Sequence, residues 1–437
     1  MSFENYYSSS LIDSRDLLYV GFNQDHDCFA VGLNNGFRIY SCDPVKEKAR
    51  KEFEDGGIRI VEMLFRSNYL AIVGGGKNPR YSPNKVVIWD DLKGKGIIEL
   101  EFRSEVKNVK LRGDRIVVVL ENRIFVYTLC ATPQKLQVYE TADNAKGLVA
   151  LSSSQEFSIL AFPGKKLGHL QVVDLNAVAP PLDPTSLPDY LTDQTFPGAD
   201  LGYSTINRYA TTSLCSMPTQ PKSHTIRRYS KPSSHPTNIA CGSTSNMSII
   251  AAHTTALSVM AISPDGAKIA TASIKGTLIR VFDSSSGMLL NELRRGFDRA
   301  EIYSIAFSRD GARLCVSSDK GTVHIFNLEF ECTARSNTLA YYRMLHIREL
   351  VTYPAATGNR LSSLSFMKEL LPKYFSSEWS FAHFHMATEG RWICGFGPEE
   401  NTVIAVCADG SSCKISFDLH QGGECERESH VRFLDWE

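Results

Sequence analysis

An excess of positive or of negative charge is missing from this chain. Its 437 residues carry 47 basic and 48 acidic side chains, a net charge of −1, so no global field draws it to nucleic acid or to an anionic membrane. Any such binding has to come from a local cluster. Paired cysteines are missing too: the eleven cysteines are scattered, with no Cys-x-x-Cys and no disulfide-like framework, the usage of a reduced, cytosolic protein. No apolar run reaches the ~18–20 residues that span a bilayer. The stretch 1–14 is polar, lacks the basic-then-apolar order of a signal peptide, and is expected to be flexible. No Walker loop or nucleophile elbow is present, and Cys407, Cys413 and Lys414 lack the arginine of a phosphatase loop, so no catalytic residue is assigned and no enzyme is expected. His383 and His385 share a strand face, but two ligands without a third are weak support for a metal. No metal and no cofactor are expected.

What is present is a repeated unit of strand, tight turn and strand. Phe29–Tyr40 carries an Asn-Gly turn between two apolar runs, the strongest short hairpin signal. The pattern recurs at Tyr69–Asp90, Arg115–Tyr127, Phe157–Asp174, Lys268–Asp283, Arg313–Asn327 and Thr402–Phe417. The turns Ser263-Pro-Asp-Gly266 and Ser308-Arg-Asp-Gly311 precede two of the copies. Successive copies sit 38 to 49 residues apart, 44 between Phe282 and Phe326, which fits a four-stranded propeller blade of ~40–45 residues.

Two intervals are too long, 109 residues from Val173 to Phe282 and 91 from Phe326 to Phe417. Residues 176–248 hold nine of the eighteen prolines with many Ser and Thr, too little apolar surface to offset the entropy of ordering. The expectation is a disordered insertion between blades 4 and 5. Residues 329–378 read as one long, partly helical loop inside blade 6. The fold expected is therefore all-β, a single seven-bladed β-propeller over 15–437 whose edges are short and protected by radial packing.

At the end of an apolar strand stands Leu293-Arg294-Arg295-Gly296. Alternation in an extended chain turns the two arginines to opposite faces, which suits two anion sites sharing one wall. Guanidinium binds phosphate through parallel hydrogen bonds and keeps its charge. Thr271 and Ser273 share one strand face nearby, as do Thr322 and His324.

Ala270-Thr-Ala-Ser273, Leu293-Arg-Arg-Gly296 and Ser317-Ser-Asp-Lys-Gly-Thr-Val-His-Ile-Phe326 resemble the PROPPINs, seven-bladed propellers that bind polyphosphoinositides and act in autophagy, the WIPI proteins among them. Phe22-Asn-Gln-Asp25, Asn78–Asp90 and Phe375-Ser-Ser-Glu-Trp-Ser380 are similar to the WIPI subgroup with Leu before the arginine pair. Elsewhere in the family Phe stands at the position of Leu293. The resemblance implies one headgroup site from His253, Thr271, Ser273, Thr277, Arg280 and one arginine, assigned as Arg294. It implies a second from Ser318, Thr322, His324 and the other arginine, with Gly296 closing the motif. It further implies that the loop 329–378, with Tyr341, Tyr342 and Leu345 among basic residues, inserts into the bilayer. Asn23 and Asp25 would contact an autophagic lipid-transfer protein, although Asx residues in such a turn are commonly plain turn formers. The partners expected are membranes with phosphatidylinositol 3-phosphate or 3,5-bisphosphate, bound by a monomer that takes no nucleic acid. The location expected is cytoplasmic, on preautophagosomal, endosomal and vacuolar or lysosomal membranes. The rival reading is a WD-type protein scaffold without a lipid role.

Overall fold

The computed structural model describes residues 17–54, 56–176, 247–328, 359, 377–387 and 390–434. Within them lie seven sheets. The first holds Leu17–Phe22 (β1), Cys28–Leu33 (β2), Gly36–Cys42 (β3) and Val45–Glu52 (β4); the second Ile58–Met63 (β5), Tyr69–Gly74 (β6), Lys85–Asp90 (β7) and Lys95–Glu101 (β8). The third holds Asn108–Arg112 (β9), Arg115–Val119 (β10), Arg123–Thr128 (β11) and Lys135–Glu140 (β12); the fourth Ala150–Leu151 (β13), Ile159–Pro163 (β14), His169–Asp174 (β15) and Met247–Ala251 (β16). The fifth is built from Leu257–Ile262 (β17), Lys268–Ser273 (β18), Leu278–Asp283 (β19) and Leu289–Arg294 (β20). The sixth starts with Ile302–Phe307 (β21), Arg313–Ser318 (β22) and Thr322–Asn327 (β23). Glu378–Trp379 (β24) then adds to β20 in parallel, and Ala382–His385 (β25) completes the sixth sheet. The seventh is Trp392–Phe396 (β26), Thr402–Cys407 (β27), Ser411–Ser416 (β28) and Glu426–Arg432 (β30), with Gly423–Glu424 (β29) lying along β25.

The repeated unit read from the sequence is the second and third strand of every sheet. These strands are the most apolar because both their faces are covered by neighbouring sheets: β2, β6 and β10 are buried throughout. The fourth strands border solvent, and β4 (Val-Lys-Glu-Lys-Ala-Arg-Lys-Glu) is charged and largely exposed. The two Asp-Gly turns are built alike. Ser263 Oγ donates to Asp265 Oδ1 at 2.5 Å, Ala267 N donates to the same oxygen at 3.0 Å, and Gly266 has φ +75°. Ser308, Asp310, Ala312 and Gly311 repeat those distances with φ +66° at the glycine. Only glycine accepts that backbone without strain.

Adjacent sheets share apolar cores. Leu293 and Ile279 of the fifth sheet pack with Leu314, Val316 and Phe326 of the sixth. Leu17, Val20 and Phe29 of the first pack with Ile393, Ile404 and Val406 of the seventh. The ring is therefore closed by side-chain burial, at about 1.5–3 kcal/mol for each large side chain, since the first and seventh sheets each draw all four strands from their own end of the chain.

The insertion differs from expectation in its place. Met247 and Ser248 are already strand, and β16 pairs with β15 from His169↔Ala251 to Val173↔Met247. The excursion thus leaves and re-enters the fourth sheet between its third and fourth strands. Residues 177–246 themselves lie outside the described residues, as do residues 1–16 and Tyr341, Tyr342 and Leu345 of the long loop. That loop returns at Ser377 to give β24 and β25.

Candidate functional site at the junction of the fifth and sixth sheets

Arg294 ends β20 and Arg295 follows it directly. Both side chains are nearly enclosed, Arg294 at 5% exposure and Arg295 at 6%, and they take different partners. Arg294 Nε donates to Ser377 Oγ at 2.7 Å, just before β24. Arg295 Nε donates to the Gly276 carbonyl at 3.1 Å and its terminal nitrogen to the Asp298 carbonyl, while its backbone N donates to Thr277 O at 3.0 Å. Among the described residues no carboxylate forms an ion pair with Arg295. Burial pushes its pKa down, and Asp319 and Asp298 pull the other way.

The turn between β18 and β19 makes this possible. Gly276 has φ +63°, and a Cβ there would stand 1.9 Å from the Ala300 carbonyl. Glycine alone lets the turn approach the 296–300 loop closely enough to offer its carbonyl to Arg295.

On the fifth-sheet side, His253 Nε2 lies 3.0 Å from Thr271 Oγ1 and 3.3 Å from the Thr271 carbonyl. Thr271 and Ser273 are buried on β18, and Thr277 is half-buried. Arg280 has protein partners: its Nε and a terminal nitrogen each lie 2.8 Å from Glu292 Oε2, and another terminal nitrogen donates to Ala252 O at 2.7 Å. Burial, then the charge of Arg280, push the His253 pKa down to about 4.

On the sixth-sheet side, β25 lays His385 opposite Thr322 and His383 opposite His324. Thr322 Oγ1 is 3.0 Å from His385 Nδ1, and His324 Nδ1 is 3.2 Å from Ser380 Oγ. Ser318 is the last residue of β22, its Oγ accepting from Lys320 N at 3.4 Å in the turn that follows. Burial, followed by the charges of Arg295, His383 and His385, lowers the His324 pKa to about 3. The charge of Arg295 is thus felt at His324 on the sixth-sheet side, and that of Arg280 at His253 on the fifth. Ser377, Ser380 and the strand register of His383 and His385 were not found from the sequence. The alternation of Trp379–His385 was the available signal, but not its partner strand.

Asn23 and Asp25 fall in different settings. Asn23 is 3% exposed; its Oδ1 accepts from Cys28 N at 3.1 Å and its Nδ2 donates to Phe65 O at 3.3 Å. Asp25 is half-buried, with Arg66 3.9 Å away, and its pKa is raised by burial and by neighbouring Asp27.

Fold and site together define a β-propeller with two hydroxyl–imidazole clusters on either side of a paired-arginine strand end. A family model described as PROPPIN matches residues 16–180 and 207–357, and the chain belongs to the PROPPIN family. It is 34% identical over 394 residues to SVP1-like protein 2 of Pichia angusta, covering 89% of this chain and 87% of that one. It is also 34% identical over 421 residues to autophagy-related protein 18e of Arabidopsis thaliana, covering 96% and 88%. Among solved structures, Kluyveromyces lactis Hsv2 matches with TM-score 0.62 at 20% identity over 96% of this chain and 99% of its own. KlAtg21, solved in complex with the coiled-coil of AgAtg16, matches at 0.63 and 22% over 96% and 100%. The family is one of non-catalytic β-propellers that bind phosphoinositide membranes in autophagy. Membership makes this a peripherally membrane-associated protein, and among the described residues no helix is long and apolar enough to cross a membrane.

Proposed function

We propose that this protein binds phosphatidylinositol 3-phosphate and phosphatidylinositol 3,5-bisphosphate through two rim sites and recruits lipid-transfer machinery during autophagosome formation. Arg294, His253, Thr271, Ser273 and Thr277, with Arg280 as a second cation, serve one headgroup. Arg295, Ser318, Thr322 and His324 serve the other. The single observation that supports this reading is that adjacent arginines take separate partners, with a threonine–histidine cluster on each of two neighbouring sheets. Hydrogen bonds to charged groups contribute about 1.5–3 kcal/mol each, so one site alone is modest, and two sites on one membrane multiply through effective concentration.

Tyr341, Tyr342 and Leu345 would add apolar insertion from the long loop. Asp25 would contribute to the lipid-transfer partner's footprint on the first sheet, with Asn23 shaping the turn that presents it. The membranes served would be preautophagosomal, endosomal and vacuolar or lysosomal. The test is flotation of the full chain on liposomes with and without the 3-phosphorylated lipids. Arg294→Ala with Arg295→Ala should abolish inositide-dependent flotation while strand content by circular dichroism survives; a folded double variant that floats like wild type overturns the proposal.

A further inference from the structure

Phe297 follows Arg295-Gly296 directly, yet it is 66% exposed. Its ring centroid lies 4.8 Å from that of Trp379, with the planes at 52°. Trp379 is the register partner of Arg294 across β20 and β24, so the strand pair fixes the half-buried indole beside the arginine couple. Ile274, 41% exposed, stands in the β18–β19 turn.

The two loops that carry these side chains are laced together. Arg299 Nε donates to Ile274 O at 3.3 Å, Ala300 N to Lys275 O at 3.1 Å and Arg295 Nε to Gly276 O at 3.1 Å. Ile274, Phe297 and Trp379 therefore form one braced fringe. Lys275 and Arg299 are exposed on it, and so is one acid, Asp298. An exposed aromatic–aliphatic edge with an excess of cations matches the boundary layer of an anionic bilayer. Aromatic rings settle at headgroup depth there while lysine and arginine meet lipid phosphates.

We infer that Phe297, supported by Trp379 and Ile274, is a bilayer anchor that enters the headgroup–acyl boundary when the arginine couple holds a phosphorylated headgroup. The inference rests on the headgroup-binding reading above and adds a hydrophobic contact to it. The occupant is a lipid surface because the fringe is continuous with the proposed headgroup sites and its cations complement lipid phosphate.

The experiment compares wild type, Phe297→Ser and Phe297→Trp as full chains. One arm measures partition onto phosphatidylcholine–phosphatidylserine vesicles containing phosphatidylinositol 3-phosphate. The other measures calorimetric binding of the soluble headgroup, inositol 1,3-bisphosphate. Phe297→Ser should weaken vesicle partition about tenfold, since an apolar ring no longer leaves water, with headgroup affinity unchanged; Phe297→Trp should match or exceed wild type. Vesicle partition unchanged in Phe297→Ser overturns the anchor, including the case in which the fringe serves a protein. Equal losses in both arms also overturn it, because Phe297 would then be positioning Arg295. If wild type binds neither probe, the anchor falls together with the headgroup reading, and the silent headgroup arm identifies which premise failed.

Discussion

Arg295 and His324 belong to neighbouring sheets, and the guanidinium, second only to burial, holds the imidazole neutral. An anion that neutralises Arg295 removes part of that constraint and offers the imidazole an acceptor. Binding should then take up a proton, so His324 should contribute more to affinity as pH falls. The ratio of wild-type to His324→Gln affinity for inositol 1,3-bisphosphate is expected to rise between pH 7.5 and 5.5. Comparing the two proteins cancels the headgroup's own titration, and a ratio independent of pH would exclude this coupling.

Protonation also bears on stability. Burial is the leading cause that lowers His26 and His253 to about 4 and His324 to about 3, against about 6.5 in an unfolded chain. Between those values the unfolded state binds more protons, so stability is full above about pH 6.5 and declines as pH falls toward 4. Asp25 and Glu62, raised by burial, act with the opposite sign. Urea midpoints at pH 7.5 and 5.5 should show the loss. His253→Gln should reduce it, having one fewer imidazole to protonate.

Gly276→Ala is expected to damage both fold and site. The backbone there is left-handed, and the new Cβ meets the Ala300 carbonyl, which cannot move aside as a flexible side-chain tip would. The cost should exceed ~1 kcal/mol. The displaced turn also withdraws the Gly276 carbonyl from Arg295. A lowered urea midpoint with weaker headgroup binding is the expected pair of results, whereas Gly113→Ala, with open space around its Cβ position, should change neither appreciably.

Asn23 and Asp25 should separate by kind of effect. Asn23→Ala removes hydrogen bonds to Cys28 N and Phe65 O from a buried turn, at about 1–3 kcal/mol for the groups left unsatisfied. Asp25→Ala removes a half-buried carboxylate whose nearest cation is 3.9 Å away, and its midpoint should stay nearer wild type. Pull-down of the lipid-transfer partner by Asp25→Ala, read beside thermal midpoints of both variants, distinguishes a lost contact from a loosened turn.

The seven hairpin units, the Asp-Gly turns and the arginine couple could all be read along the chain, because alternation, turn chemistry and charge are properties of a few consecutive residues. Leu293 before the couple packs in the seam between the fifth and sixth sheets, a partnership its apolar character does not specify. Other features depend on segments far apart in the chain. That β16 completes the fourth sheet after residues 177–246, and that Glu378–Trp379 lies along β20, follows from which edge strand is open when the chain returns. No local pattern encodes that. The same holds for His383 and His385, whose alternation was visible but whose opposition to His324 and Thr322 required the sixth sheet to form. Sequence determined the repeat and the chemistry it carries. Tertiary structure decided the register, the ion pair between Arg280 and Glu292, the lowered pKa values of the buried imidazoles and the closure of the ring by core packing, because burial and cross-strand pairing exist only once the sheets have met.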